Sequence, residues 1–124
     1  MKFASLRLVT SDVPRLAGFY RQVLQSEPQG DDRYVEFALE GARLAIAGRP
    51  AAEALHGLPW PEADAPSAIL EFAVDDVDAE RARLGAIVDQ WLQEPRDMPW
   101  GNRSMLFRDP DGNPVNVFTH PSAR

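Results

Sequence analysis

The stretch PWGNRSMLFRDPDGNPVNVFTHP, from Pro99 to Pro121, decides the fold of this chain. Its centre, DPDGN (Asp109 to Asn113), predicts a tight turn, because Pro110 fixes φ, Gly112 tolerates a positive φ, and Asp and Asn side chains hydrogen-bond to nearby backbone. Two short runs of strand-forming residues, SMLF and VNVF, flank the turn. The stretch therefore predicts a β-hairpin.

The bulk composition is that of one soluble globular domain. The chain has 124 residues, of which 44% are hydrophobic and 26% charged, as in ordinary folded domains. No apolar run approaches the roughly 20 residues of a membrane helix, and the first residues do not resemble a secretory signal. A net charge of −6 without a cluster of basic residues argues against a nucleic-acid partner. The lack of cysteine excludes disulfides and thiolate metal sites, and it is typical of the cytoplasm.

The first half of the sequence predicts a β-α-β-β-β unit. FASLRLV (residues 3–9) alternates as a strand, and a helix with one apolar stripe follows from a cap at Asp12 to about Gln25. RYVEFALEGARLAIAG (residues 33–48) then alternates as two strands joined by its Glu-Gly pair. One further, poorly marked strand is expected within residues 26–32.

The second half begins like the first. LRLVTSDV (Leu6 to Val13) and LEFAVDDV (Leu70 to Val77) align at an offset of 64 residues, which places Asp76 at the position of Asp12. Because this offset is close to half of the chain, it indicates an internal duplication. The remaining predicted elements are a helix from Val77 to Leu84 that ends at Gly85, a strand within AIVDQWLQEP (residues 86–95), and the hairpin.

The segment between the two units predicts a connector. GRPAAEALHGLPWPEADAPS (residues 48–67) contains four prolines and no steady hydrophobic period, with a possible helical turn at Ala51 to Leu55. Trp60, between two prolines, is a candidate lid over a ligand or a candidate dimer contact. The chain is thus predicted to be a single domain over residues 1–124, with module one at about 1–48, the connector at 49–67 and module two at about 68–121.

In the form PWG-x-R, DPDGN and P-V-x-V-F, the hairpin resembles that of the vicinal oxygen chelate superfamily, which includes glyoxalase I, bleomycin-resistance proteins and extradiol dioxygenases. The resemblance implies an α+β fold of two tandem β-α-β-β-β modules. In that fold, curled mixed sheets surround a shared cavity and the helices pack on the outside. Combined with the alternation of the strands, it predicts that the side chains facing the helices are Leu6, Leu8, Phe37, Ile46, Leu70 and Phe72.

The same resemblance implies where a metal would bind. Members that use a metal take His or Glu from the first and the last strand of each module, and the corresponding positions here are Ser5, Ala45, Ile69 and Asn116. Alanine and isoleucine offer no lone pair, and serine and asparagine are weak neutral ligands. The sequence therefore predicts no metal and no other cofactor. Its two histidines, His56 and His120, are expected to be exposed to solvent.

The predicted cavity suits a flat organic molecule, because aromatic and apolar side chains are mixed with neutral hydrogen-bonding ones. Arg7 and Glu71 occupy equivalent places in the two repeats, which fits either a buried ion pair or a ligand contact by Arg7. Trp100 can line the cavity or seal the end of the sheet. The candidate ligand-binding residues are Ser5, Arg7, Glu36, Ala45, Ile69, Glu71, Trp91, Trp100, Asn102, Ser104, Leu106, Asn116 and Phe118.

Three functions fit these residues. The favoured one is a metal-free binding protein of the bleomycin-resistance type, which sequesters an aromatic or drug-like compound and so could confer antibiotic resistance. The second is a metal-dependent lyase, isomerase or dioxygenase whose metal uses Glu36, Glu71 or a histidine as a non-standard ligand. The third is an accessory module with a vestigial cavity. The expected partners are a small organic ligand and, because exposed strand edges favour pairing, a second copy in a homodimer; no nucleic acid or membrane is expected.

Overall fold

The computed structural model describes residues 3–57 and 68–123. They form two compact units, which lie within Met1–Ala63 (unit 1) and Asp64–Arg124 (unit 2). The elements of unit 1 are β1 (Ser5–Thr10), α1 (Val13–Leu24), β2 (Gln29–Gly30), β3 (Tyr34–Ala38), β4 (Arg43–Gly48) and α2 (Arg49–His56). Those of unit 2 are β5 (Leu70–Ala73), α3 (Val77–Leu84), β6 (Gln90–Asp97), β7 (Arg103–Arg108), β8 (Pro114–Thr119) and a short 3-10 turn (Pro121–Ala123).

The two units share one sheet topology. The strand order is β1-β4-β3-β2 in unit 1 and β5-β8-β7-β6 in unit 2. In each unit the first strand is parallel to the last, and the other pairs are antiparallel. The predicted α+β fold of two repeated modules is therefore confirmed. The weakly marked strand is also confirmed, as the two-residue β2.

The helix starts show the duplication at atomic detail. The Asp12 carboxylate accepts the backbone N–H of Arg15 at 3.1 Å, and the Asp76 carboxylate accepts that of Ala79 at 3.1 Å. In unit 1, the apolar stripe of α1, which includes Leu16, packs against β3 and β4 and is buried there. Each large apolar side chain buried in this way contributes about 1.5–3 kcal/mol. Caps and apolar stripes thus fix the position of each helix on its sheet.

The DPDGN turn forms as the sequence predicts. The Asp109 carboxylate is 4% exposed and accepts the backbone N–H groups of Asp111 and Asn113 at 3.0 and 2.8 Å. It also accepts the side-chain amide of Asn113 at 2.8 Å. Gly112 has a φ of 88°, a region that glycine enters without steric cost. One carboxylate therefore organises the connection between β7 and β8.

Two boundaries differ from the prediction. The strand expected from Ala86 begins only at Gln90, because the N–H groups of Ile87 and Val88 donate to the Leu84 carbonyl at 2.9 Å and prolong the end of α3 as a turn. The expected helical turn after Gly48 is the eight-residue helix α2, which ends at Gly57 with a φ of 66°. The predictions for Trp60 and for the side chain of His56 lie outside what the structure describes, whereas His120 is exposed as expected.

Within residues 3–57 and 68–123, every helix is too short or too polar to cross a membrane. A cavity shared by the two modules stays a prediction, as does the Arg7–Glu71 pair, which would join the two units.

Candidate functional site

One face of each sheet carries the apolar residues that pack against a helix, α1 in unit 1 and α3 in unit 2. In unit 1 the strand register places Leu6, Leu8 and Ile46 on one side and Arg7, Glu36 and Ala45 on the other. In unit 2, Leu70 and Phe72 share a side with Val115 and Val117, opposite Glu71 and Asn116. The predicted sides of the strands are therefore confirmed. The sides opposite α1 and α3 are the Glu36 face, formed by Ser5, Arg7, Tyr34, Glu36, Arg43 and Ala45, and the Glu71 face, formed by Glu71, Ser104, Leu106, Asn116 and Phe118.

A chain of polar contacts crosses the Glu36 face. The Tyr34 hydroxyl donates to Glu36 Oε1 at 2.9 Å, and Arg43 Nη1 donates to Glu36 Oε2 at 3.3 Å. The guanidinium carbon of Arg7 lies 5.7 Å from the centroid of the Tyr34 ring, within the range of a cation–π interaction. Ala45, which pairs with both Arg7 and Glu36, is 1% exposed. The face therefore presents ordered charged groups beside a buried methyl group.

The contacts on this face change the acidity of its phenol. Burial, followed by the hydrogen bond to the Glu36 carboxylate, raises the pKa of Tyr34, while Arg7 opposes the rise. Tyr34 is consequently a neutral donor at physiological pH. It was absent from the sequence-based candidates, although the alternation in YVEFA places it on the same side as Glu36.

The Glu71 face is held together by neutral amides. Asn116 Nδ2 donates to Glu71 Oε2 at 2.9 Å, and Gln93 Nε2 donates to the carbonyl of Ser104 at 3.0 Å. Strand pairing aligns Asn116 with Leu106 and Ser104 with Phe118. The face thus combines directed polar groups with apolar ones, as the sequence predicts.

Two other candidates on unit 2 lie at the ends of strands. Ile69 immediately precedes β5 and is 57% exposed, and Trp100 lies in the turn before β7 and is 66% exposed. The carbonyl of Asn102 accepts the backbone N–H of Met98 at 2.7 Å within the same turn. Ile69 and Trp100 are exposed and Asn102 is half-buried, and their part in binding stays a prediction.

The predicted position of Trp91 among the wall residues is wrong. Its ring contacts Phe107 with a centroid distance of 5.4 Å, and the guanidinium carbon of Arg81 from α3 lies 3.9 Å from its centroid. Trp91 therefore lies on the helix side of the sheet. Trp91 pairs with Phe107 and Gln93 pairs with Leu106, so a β-bulge between them breaks the alternation of sides along β6.

The four positions implied for a metal do not fit one. Ser5 and Ala45 lie on the Glu36 face, and Asn116 on the Glu71 face donates its amide N–H to a carboxylate. Ala45 and Ile69 have no ligand atom in their side chains. In the described part of the chain, no group of three or more His, Cys, Asp or Glu residues is arranged to hold a metal ion.

A cavity of about 930 Å³ in unit 1 was not foreseen from the sequence. It lies where β4 passes into α2, and its lining combines the start of α1, the Asp31–Tyr34 segment and the side chain of Arg7 with residues of α2. Asp31 Oδ1 accepts the backbone N–H groups of Arg33 and Tyr34 at 2.8 and 3.1 Å. These hydrogen bonds lower the pKa of Asp31. The sequence signal for the cavity was weak, because the helix α2 begins inside a proline-rich segment.

Known proteins share this architecture. A glyoxalase/bleomycin-resistance/dioxygenase family enzyme from Burkholderia phytofirmans PsJN superposes with a TM-score of 0.86 at 16% identity, covering 96% of this chain and 98% of that one. A protein of unknown function from Agrobacterium tumefaciens str. C58 is 29% identical, with a TM-score of 0.79 and coverages of 96% and 94%. A lactoylglutathione lyase from Agrobacterium tumefaciens is 23% identical, with a TM-score of 0.74 and coverages of 94% and 92%.

Comparison with curated proteins gave no match. The sequence model of the Glyoxalase/Bleomycin resistance protein/Dioxygenase superfamily, in contrast, matches residues 2–117. This match covers nearly the whole chain, and the duplicated sheet topology and the hairpin agree with it. The chain belongs to the glyoxalase/bleomycin-resistance protein/dioxygenase superfamily.

Proposed function

We propose that this protein binds a small aromatic or drug-like organic molecule without a metal ion and thereby sequesters it. The observation that carries the proposal is the chemistry of the four positions where a metal would be held. Ala45 and Ile69 cannot donate an electron pair from their side chains, and the Asn116 amide is already turned toward Glu71 at 2.9 Å.

The composition of the two faces supports an organic ligand. On the Glu36 face, Arg7 and Glu36 supply charged groups whose orientations are fixed by Tyr34. On the Glu71 face, Leu106 and Phe118 supply apolar surface beside the amide of Asn116. A few directed polar groups among apolar ones are typical of small-molecule sites. The candidate residues from the sequence, other than Trp91, keep this role in the proposal.

Metal analysis and a binding panel test the proposal together. Purified protein is analysed for bound transition metals before and after chelation, and is then screened for thermal stabilisation by aromatic and drug-like compounds. We expect less than stoichiometric metal, unchanged stability after chelation, and stabilisation by at least one class of compound. A stoichiometric transition metal whose removal by a chelator also abolishes an enzymatic activity would contradict the proposal.

A second candidate is a metal-dependent enzyme of the same fold. The relative named lactoylglutathione lyase gives this candidate its support, and Glu36 and Glu71 are the carboxylates available for it. Both carboxylates already accept hydrogen bonds, Glu36 from Tyr34 and Arg43 and Glu71 from Asn116. If the protein is a metal-dependent enzyme that uses these two carboxylates, replacing both glutamates with glutamine should abolish metal binding. If it is not, the metal content should stay unchanged.

We also propose that the protein acts as a cytoplasmic homodimer. Large apolar side chains are exposed at Phe3, Ile69, Leu92 and Trp100, with exposed fractions of 42–71%. Such side chains are common in contacts between subunits. Light scattering over a concentration series should give twice the mass of the 13.8 kDa chain. A single mass of one chain at every concentration would contradict the dimer.

A further inference from the structure

The cavity of unit 1 has the size and the walls of a ligand site. Its volume of about 930 Å³ lies within the range of pockets that hold drug-sized molecules. Val13 and Pro14 of α1 form one apolar side, and Pro50, Ala51 and Ala54 of α2 form another. A flat hydrocarbon body placed there would contact apolar carbon on both sides.

The charged residues that line the cavity are Asp12, Asp31, Asp32, Arg7 and Arg33. The Asp12 carboxylate caps α1, and the Asp31 carboxylate accepts two backbone N–H groups of the following turn. These two anions therefore hold the backbone. Arg7 projects from the middle of β1 and is exposed, and its guanidinium carbon lies 5.7 Å from the Tyr34 ring centroid. A guanidinium positioned on an aromatic face presents a planar fork of donors that matches a carboxylate.

Unit 2 has a smaller cavity, of about 520 Å³, at the equivalent place, lined by Asp75, Asp76, Val77, Asp78, Asp97, Arg103 and Thr119. Extending the strand registers by one residue places Thr119 at the position of Gly48. The Thr119 hydroxyl accepts the N–H of Val77 at 2.9 Å. Beside it, Arg103 donates to both oxygens of Asp78 at 2.9 and 3.1 Å and to Asp97 at 3.3 Å. Carboxylates and an arginine therefore predominate at this place in unit 2, whereas the unit 1 cavity also has two apolar sides.

Gly48 is not required by the backbone. Its φ is −67°, which any residue adopts, and an added Cβ would meet Val13 Cγ2 at 3.4 Å and the Arg33 carbonyl at 3.5 Å, which are ordinary contacts. The effect of this glycine is therefore to leave space at the cavity, where unit 2 has a threonine.

We propose that the unit 1 cavity is the binding site for an organic carboxylate with an aromatic or aliphatic body. The carboxylate pairs with Arg7, and the body lies between the start of α1 and the alanines of α2. This inference rests on the proposed small-molecule function and names the ligand class and the place of binding. Asp32, the remaining carboxylate of the lining, opposes an anion, so that its replacement by asparagine should strengthen binding.

Calorimetric titrations with three probes of one shape test the ligand class. The probes are naphthaleneacetate, the alcohol naphthalenemethanol and the amine naphthylmethylamine, each titrated at low ionic strength. We expect the acid to bind most tightly and the amine most weakly. A charge-assisted hydrogen bond contributes enough that Arg7→Met should weaken the acid by about tenfold or more. The same substitution should change the alcohol by less than about twofold, because the alcohol carries no charge to pair with arginine.

Further variants test the place of binding. Ala54→Trp and Gly48→Val narrow the cavity and should weaken both the acid and the alcohol. Matched controls lie elsewhere: Arg21→Met removes an arginine paired with Glu27 at the surface, and Ala82→Trp adds the same ring to an exposed position of α3. Both controls should bind like the unmodified protein. Arg7→Lys, which retains the charge, replaces Arg7→Met if the latter fails to fold, and should retain an intermediate affinity.

The outcomes separate this inference from the proposed function. Equal binding of acid and amine, or an Arg7→Met variant that binds the acid normally, overturns the carboxylate inference. So does a failure of all three probes to bind. If other compounds of the broad panel still stabilise the protein, the proposed function stands without the inference; if none does, both are wrong.

Discussion

Replacing Asp109 with alanine should destabilise the protein strongly, although the residue lies in a turn. Asp109 is 4% exposed, and its carboxylate accepts three hydrogen bonds of 2.8–3.0 Å. Hydrogen bonds to a charged group contribute about 1.5–3 kcal/mol each, but water can replace some of them once the turn loosens. We therefore expect the free energy of unfolding to fall by about 2–4 kcal/mol. Asp109→Asn retains one acceptor oxygen, so its loss should be about half as large.

Urea unfolding followed by circular dichroism measures this loss. The dependence of the free energy on urea should stay unchanged, because the substitution alters stability rather than the surface that unfolding exposes. Asp89→Ala, which removes an exposed carboxylate of the same unit, is the control and should lie within about 0.5 kcal/mol of the unmodified protein. If Asp109→Ala is no less stable than this control, the hairpin is not held by the buried carboxylate and the reasoning fails.

Three further predictions concern the candidate site. Because the pKa of Tyr34 is raised by burial and by Glu36, its contribution to stability should be full below the unfolded value of about 10 and should fall as pH rises through the folded-state pKa. Phenolate absorbance of the protein minus that of Tyr34→Phe gives this titration, and Glu36→Gln should shift it to lower pH. Trp91→Ala should lower the free energy of unfolding by about 2–4 kcal/mol and leave ligand affinity unchanged. Unchanged stability with weakened ligand binding would show that Trp91 contacts the ligand. Finally, the predicted shared cavity would bring together the four positions at which the family holds a metal. If it does, the quadruple variant Ser5→His, Ala45→Glu, Ile69→His and Asn116→Glu should bind Zn²⁺ in equilibrium dialysis. A folded variant that binds no Zn²⁺ would contradict the shared cavity.

The sequence predicted those features that depend on local chemistry. The offset between Leu6 and Leu70 gave the duplication, and Asp12 and Asp76 marked both helix starts, because capping needs only a residue and its neighbours three positions on. The strand sides followed from alternation. The side that Trp91 occupies, in contrast, depends on the pairing of β6 with β7 and on the bulge in β6, which no local pattern records.

The features that escaped prediction depend on residues that are distant in the chain. The part of Tyr34 in the candidate site depends on two contacts: its hydroxyl donates to Glu36, and its ring faces Arg7, which lies on another strand. The cavity likewise requires the start of α1, the Asp31–Tyr34 segment and α2 to lie together. Periodicity describes one element at a time, and it therefore cannot report where three elements leave space.

In a duplicated fold, the differences between copies are more informative about function than their common features. The caps at Asp12 and Asp76 have equal hydrogen-bond lengths of 3.1 Å, and folding alone explains them, because each helix needs a cap. Arg7 and Glu71 occupy equivalent positions, yet one faces a tyrosine ring and the other accepts an asparagine amide. Both side chains lie on the sheet faces opposite α1 and α3. The two equivalent positions therefore offer different chemistry, a cation on the Glu36 face and a carboxylate on the Glu71 face. The proposed organic carboxylate would be oriented with its acidic group toward Arg7.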